Sequence, residues 1–167
     1  GVFKISASGK TVTIRDSGTN GKISHIAKST VYMSGINLDA GTLNIEGGTI
    51  YAENTYTTSN TTYRACGIYN KSSNTSSVTI SGGTIEVKRA ATYAYGMYLY
   101  NTNCGLTMTG GEIKASGTGT VRGIYTRGTA ILSNATVTAT TTGTGNCYTL
   151  LSDNSGNFTI NSGTYSA

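Results

Sequence analysis

The clearest repeat in the chain is the ten-residue stretch Val78-Thr-Ile-Ser-Gly-Gly-Thr-Ile-Glu-Val87. Apolar and polar residues alternate on both sides of the Gly-Gly pair, which predicts two short strands joined by a bend. Glycine suits such a bend because it accepts a positive φ without strain. Related stretches recur along the chain, beginning at Val12, Leu43, Leu106, Ile131 and Phe158. The copy that begins at Ile131 is one residue shorter than the others.

A second signature follows in each unit and predicts a third strand. It reads Gly67-Ile-Tyr69, Gly96-Met-Tyr98 and Gly123-Ile-Tyr125, with a degenerate copy at Tyr148-Thr-Leu150. No stretch of helical period separates the strands, which excludes a βαβ architecture. Three strands per repeat of about 25–35 residues predict an all-β fold, a right-handed single-stranded parallel β-helix of about five to six coils. We expect residues 1–167 to form a single β-helix domain.

Stacked coils should place equivalent residues in columns, and three apolar columns are expected to form the core. The first contains Val12, Leu43, Val78, Leu106, Ile131 and Phe158. The second contains Ile14, Ile45, Ile80, Met108 and Ile160, with Ser133 as an interruption. The third contains Ile50, Ile85, Ile113, Val137 and Tyr165.

Composition excludes several other classes of protein. Thr, Ser, Asn and Gly account for 86 of the 167 residues, which argues against a helical bundle because all four are poor helix formers. No apolar run approaches the ~20 residues of a membrane span, so membrane insertion is not expected. The net charge of +5 would attract an acidic polymer or an anionic cell surface, or it is simply a lightly charged soluble surface. No Lys/Arg run or nucleic-acid motif is present, so nucleic acid is not an expected partner.

The repeats resemble those of large adhesin-like surface proteins of Gram-positive gut-type bacteria, which carry phrases such as Val78-Thr-Ile-Ser-Gly-Gly-Thr-Ile85 and Val12-Thr-Ile-Arg-Asp-Ser-Gly-Thr-Asn-Gly-Lys-Ile23. The resemblance covers nearly the whole chain and implies the β-helix fold shared with pectate lyases and autotransporter passengers. It also implies an adhesin-like module on a cell surface. We expect a non-catalytic module that is extracellular or attached to the cell wall, with a glycan or a host or bacterial surface as its partner.

A polysaccharide lyase or hydrolase of the same fold is the main alternative function. Such an enzyme needs clustered carboxylates, either to bind Ca²⁺ or to act as acid and base. The predicted columns instead place Glu53 beside Lys88 and Glu86 beside Lys114, as stacks of opposite charge. The single histidine, His25, has no Cys or Asp at a metal-ligand spacing. We therefore expect no catalytic residues, no metal and no cofactor.

The three cysteines, Cys66, Cys104 and Cys147, are expected to be free thiols. The repeat register aligns Cys66 with Tyr95, Arg122 and Cys147, one residue per coil. Cys66 and Cys147 would then lie three coils apart, about 14 Å, which is too far for a disulfide. No Cys-x-x-Cys pattern indicates zinc.

Tyrosines and arginines around the third strand are the candidate binding residues. Tyr69, Tyr98 and Tyr125 should share one column, continued by Leu150. An exposed column of this kind would offer flat platforms for sugar rings, and Tyr with Arg is typical of binding surfaces. The alternative is a purely structural ladder of aromatic pairs. The binding residues predicted on this basis are Tyr69, Tyr98, Tyr100, Tyr125, Arg122 and Arg127.

Two further expectations come from the repeat pattern. An outward column of Thr13, Asn44, Thr79, Thr107, Leu132 and Thr159 raises the possibility of an ice-binding surface, but it is interrupted twice. The last copy ends after its second strand, and the first residues contain no capping helix. We therefore expect the chain to be a fragment of a longer repetitive protein, with self-association through end-to-end stacking of exposed coils.

Overall fold

The computed structural model describes residues 1–18, 20–58, 63–153 and 155–167. Within these ranges the chain forms eighteen β-strands and no helix, and the strands are arranged in three parallel six-stranded sheets. Each coil contributes one strand to each sheet, so the predicted parallel β-helix with three strands per coil is confirmed. A search of the described residues for a helix long and apolar enough to cross a membrane finds none.

The strands follow one another around the coil in the order sheet A, sheet B, sheet C. Sheet A contains β1 (Phe3–Ile5), β4 (Met33–Leu38), β7 (Arg64–Asn70), β10 (Tyr93–Leu99), β13 (Thr120–Thr126) and β16 (Cys147–Ser152). Sheet B contains β2 (Thr11–Ile14), β5 (Gly41–Ile45), β8 (Ser76–Ile80), β11 (Cys104–Met108), β14 (Thr129–Leu132) and β17 (Asn157–Ile160). Sheet C contains β3 (Lys22–Ala27), β6 (Thr49–Asn54), β9 (Thr84–Arg89), β12 (Glu112–Gly117), β15 (Ala135–Thr141) and β18 (Gly163–Ser166).

The apolar columns of sheets B and C form the core as predicted through the first four coils. Val78 pairs in register with Leu43 on one side and Leu106 on the other, and all three are buried. The third column is confirmed along its whole predicted length, from Ile50 through Ile85, Ile113 and Val137 to Tyr165. Thr79 and Thr107 occupy the outward positions between the core residues. Each buried aliphatic side chain contributes about 1.5–3 kcal/mol to stability.

The predicted register is wrong by one residue in the fifth coil. Ala130, rather than Ile131, pairs with Leu106, and Leu132, rather than Ser133, pairs with Met108. Ile131 instead occupies the outward column in place of Leu132 and is 39% exposed. With Ala130 as its first core residue, this copy has the same length as its neighbours. Alanine gives a weaker hydrophobic signal than isoleucine, which is why the pattern favoured the wrong start.

The Gly-Gly bend between sheets B and C behaves as the sequence predicts. The second glycine of three such pairs has a positive φ: 77° at Gly48, 79° at Gly83 and 81° at Gly111. The bend turns the chain from β8 into β9 without strain, so that Ile80 and Ile85 both point into the core.

Glycine has a different function in sheet A, where it allows close packing. Gly67, Gly96 and Gly123 have no unusual φ, but a Cβ placed on each would collide with a side chain of sheet C: with Ile85, Ile113 and Val137 respectively. The third column of the core therefore fills space that these glycines leave open. Ala65 and Ile68, on either side of Cys66 and Gly67, both belong to the main core, while Cys66 and Tyr69 lie in a second cluster outside it.

Candidate functional site

The outer face of sheet A carries the second cluster of the molecule, built from aromatic and cationic side chains. Strands β7, β10 and β13 place Cys66, Tyr95 and Arg122 in one outward column and Tyr69, Tyr98 and Tyr125 in another. We call this surface the Tyr–Arg face and define it as Arg64, Tyr69, Tyr93, Tyr95, Tyr98, Tyr100, Arg122, Tyr125 and Arg127.

The tyrosine column is a continuous stack. The Tyr69 and Tyr98 ring centroids are 5.4 Å apart and those of Tyr98 and Tyr125 are 5.0 Å apart, with interplanar angles of 7° and 10°. Tyr32 extends the stack beyond Tyr69 at 4.5 Å. The near-parallel rings follow from the spacing of the coils, since neighbouring strands about 4.8 Å apart hold equivalent rings at stacking distance.

The expectation that this column is exposed is wrong. Tyr69, Tyr98 and Tyr125 are only 4–5% exposed, because each ring covers the face of the next. The column therefore cannot offer open ring faces to sugars, and it serves as a rigid base for the side chains around it. The column also continues differently from the prediction: Tyr125 pairs with Leu151, whereas Leu150 pairs with Ile124 in the core.

Tyr95 joins the two outward columns. Its ring meets the edge of Tyr98 with the centroids 4.8 Å apart at 74°, and its hydroxyl accepts a hydrogen bond of 2.8 Å from Nη1 of Arg122. Tyr95 is buried, whereas Tyr93 and Tyr100 at the borders of the stack are half-buried. The interlocked rings leave little conformational freedom to the arginine that they hold.

Each arginine of the Tyr–Arg face lies against a tyrosine ring. The guanidinium carbon Cζ is 5.0 Å from the Tyr98 centroid for Arg64, 5.2 Å from that of Tyr95 for Arg122, and 4.1 Å from that of Tyr100 for Arg127. Such cation–π contacts fix a guanidinium without neutralising its charge. All three arginines are half-buried, so part of each remains accessible.

Asp153 is the acidic residue of this region. Its Oδ2 accepts a hydrogen bond of 2.7 Å from the Tyr125 hydroxyl and lies 3.8 Å from Nε of Arg127. Burial is the main cause that raises the pKa of Tyr125, and the hydrogen bond to Asp153 adds to it. Burial likewise raises the pKa values of Tyr69, Tyr95 and Tyr98. The tyrosines therefore remain neutral hydrogen-bond donors while the arginines beside them are charged.

The comparisons with known proteins give no family. The chain matches no family model, no curated protein and no solved structure at a significant level.

The structure brings the predicted binding residues together on one surface, in two layers. Tyr69, Tyr98 and Tyr125 form the buried stack, while Tyr100, Arg122 and Arg127 lie half-buried at its border. The prediction omitted Arg64 and Tyr93, which pair in register and contact the same rings. The repeat alignment contains the signal for them, because both residues stand three positions before the Gly of the Gly-x-Tyr signature.

Every one of the seven carboxylates has a local partner. Glu53 pairs in register with Lys88 and Glu86 with Lys114, as predicted. The ion pairs, however, form within strands, because each lysine reaches the glutamate two residues before it. The partners are Gly18 and Gly21 backbone N–H groups for Asp16, Lys4 for Asp39, Arg15 for Glu46, Tyr51 for Glu53, Lys88 for Glu86, Lys114 for Glu112, and Tyr125 for Asp153.

The histidine and the three cysteines lie in four different strands. His25 is half-buried in β3, with Nδ1 2.8 Å from the backbone oxygen of Ser34. Among the described residues, no group of three or more His, Cys, Asp and Glu side chains is placed to hold a metal ion. All three cysteines are free, as predicted, and burial raises the pKa of each thiol. The predicted alignment of Cys147 with Cys66 is wrong, because Arg122 pairs with Tyr148 and Cys147 continues the core column of Val121.

Proposed function

We propose that this chain is a non-catalytic recognition module of a bacterial surface protein, extracellular or attached to the cell wall, and that it binds glycans through the Tyr–Arg face. The observation that carries the proposal is the concentration of three half-buried arginines on tyrosine rings over a single sheet. Tyr and Arg are enriched at binding interfaces, where they supply large contact area and directed hydrogen bonds. The resemblance of the repeats to adhesin-like surface proteins supports the location.

The two layers of the Tyr–Arg face have different roles in binding. The buried stack of Tyr69, Tyr98 and Tyr125 holds the half-buried layer in place, so little side-chain entropy is lost when a ligand binds. Tyr100, Arg122 and Arg127 then present hydroxyl and guanidinium donors to the oxygen atoms of a sugar chain. Because Tyr148 is 39% exposed and pairs in register with Arg122, it extends the contact layer by one coil.

The test is binding to an array of glycans by the wild-type protein and by Tyr100→Ala. We expect the substitution to weaken binding to every glycan that the wild type recognises, because it removes a ring of the contact layer and the ring on which Arg127 lies. Lys114→Ala, on the outer face of sheet C, is the matched control and should bind as the wild type does. Absence of binding to any glycan would contradict the proposal.

The non-catalytic part of the proposal has its own test. Incubation with pectin, alginate or glycosaminoglycans should release no reducing ends and no unsaturated products. The individual pairing of the carboxylates supports this expectation, since glycoside hydrolysis needs two carboxyl groups that face one bond and are free to act on it. Turnover that persists through further purification would favour the polysaccharide lyase or hydrolase.

A further inference from the structure

Arg64 and Arg122 differ from Arg15 and Arg127, the arginines that lie beside a carboxylate, and from Arg89, which is buried and donates to the backbone oxygens of Asn54 and Tyr56. Arg15 pairs with Glu46 at 2.5 Å, and Arg127 lies 3.8 Å from Asp153. Within the described ranges, neither Arg64 nor Arg122 takes part in an ion pair. Both arginines are half-buried on the outer face of sheet A, so part of each side chain is accessible to a ligand.

The two guanidiniums are also incompletely hydrogen-bonded. Nε of Arg64 and Nε of Arg122 are both shielded from solvent and have no hydrogen-bond partner among the described residues. Arg122 uses Nη1 to donate to the Tyr95 hydroxyl. A guanidinium that has lost part of its hydration without gaining a counter-ion carries an unfavourable desolvation energy. An anion bound to its remaining donors would recover that energy through charge-assisted hydrogen bonds.

The ring of Tyr93 lies close to both charges, which sets an upper limit on the distance between them. Cζ of Arg64 is 6.0 Å and Cζ of Arg122 is 5.8 Å from the centre of the same ring, that of Tyr93, so the two guanidiniums are at most about 12 Å apart. Arg64 lies in β7 and Arg122 in β13, with β10 between them. A line through both charges therefore runs across three coils.

We infer that the glycan is a polyanion, and that Arg64 and Arg122 each bind a sulfate or carboxylate group of one polysaccharide chain that crosses β7, β10 and β13. This inference rests on the proposed function, because it names the class of glycan that the same face binds. The planar fork of each arginine matches either kind of anionic group, and both guanidiniums lie near the ring of Tyr93.

The experiment measures binding of the wild type to dextran sulfate, polygalacturonate and neutral dextran. The test variant is Arg64→Gln/Arg122→Gln. The matched control is Lys88→Gln/Lys114→Gln, which removes the same net charge from the outer face of sheet C. We expect the arginine variant to weaken binding to the anionic polymers by at least about tenfold, and the lysine variant to leave it unchanged. Comparison of the two anionic polymers distinguishes sulfate from carboxylate as the preferred group.

The outcomes separate this inference from the proposal on which it rests. Binding to neutral glycans that the arginine variant leaves unchanged would overturn the polyanion inference while the proposed function stands. An equal loss in the lysine variant would also overturn it, because the attraction would then depend on net charge alone. If the wild type bound none of the polymers and nothing on the glycan array, the proposed function itself would be contradicted. Arg122→Lys keeps the positive charge but loses the planar fork of the guanidinium. It should therefore bind the anionic polymers more tightly than the Arg64→Gln/Arg122→Gln variant but more weakly than the wild type.

Discussion

At Gly96, the distance between sheet A and sheet C is set by the absence of a side chain. A Cβ at this position would collide with Cγ2 of Ile113 and with the backbone oxygen of Gly123. We expect Gly96→Ala to lower the free energy of unfolding by about 1–3 kcal/mol, the usual cost of overpacking a core. Chemical denaturation followed by circular dichroism measures the change.

Gly105 provides the matched control for this substitution. It also lies within a strand, β11, but a Cβ there would meet no atom within 4 Å. Gly105→Ala should leave stability unchanged or raise it slightly, because alanine loses less backbone entropy on folding. Equal effects of the two substitutions would mean that sheet A does not approach Ile113 as closely as the structure shows.

At the scale of one strand, β14 tests the corrected register of the fifth coil. Leu132 is buried in the core column of Met108, whereas the adjacent Ile131 is 39% exposed. Leu132→Ala should lower the free energy of unfolding by about 2–5 kcal/mol, because it leaves a cavity. Ile131→Ala should change it by less than about 0.5 kcal/mol, as surface substitutions usually do. If chemical denaturation showed a larger loss for Ile131→Ala than for Leu132→Ala, Ile131 would be the core residue, as the sequence pattern favoured.

At the scale of one sheet, the tyrosine stack predicts that stability falls in alkaline solution. Burial raises the pKa values of Tyr69, Tyr95, Tyr98 and Tyr125 above the value of about 10 that tyrosine has in an unfolded chain. The unfolded chain therefore releases phenol protons first as the pH rises. The stabilisation is complete below about pH 10 and is lost as the pH rises through the pKa values of the folded protein.

Urea denaturation at about pH 8 and about pH 10.5 measures this loss. Tyr98→Phe keeps the stacked ring but removes one ionisable hydroxyl, so its stability should fall less between the two pH values than that of the wild type. Tyr148→Phe is the control, because Tyr148 is exposed and lies outside the stack. A fall of the same size in all three proteins would show that the buried phenols do not contribute.

The sequence predicts columns well where each coil supplies a large apolar residue, as at Ile50, Ile85 and Ile113. It fails in the fifth coil, where the core residue is the small Ala130 and a larger neighbour carries the hydrophobic signal. The candidate site shows a different limit. Repeat spacing brings Tyr69, Tyr98 and Tyr125 into one column, but only the side-chain rotamers decide whether the rings stand open or lie on each other. Arg64 was left out of the site because it precedes the recognisable signature.

At the scale of the whole molecule, each six-stranded sheet of the described residues has one edge strand from the first coil and one from the last. In the last coil, Phe158 and Tyr165 continue core columns but are only half-buried, and among the described residues β17 and β18 each pair with a strand on one side only. Ile160 continues the column of Leu132 and is 52% exposed. Unpaired backbone groups beside such apolar side chains form a template on which another strand can pair.

We expect these edges to cause self-association through end-to-end stacking, visible as a rise in mean mass when sedimentation velocity is measured over a hundredfold range of concentration (about 2 to about 200 μM). Ile160→Lys should suppress the rise, because stacking would then bury an unpaired charge. Ile131→Lys places the same residue on the same sheet but away from the edge, at a position already facing outward, and should associate as the wild type does. A wild-type protein that stays monomeric over the whole range would contradict the expectation. Equal suppression by both variants would show that exposed apolar surface, and not coil stacking, drives the association.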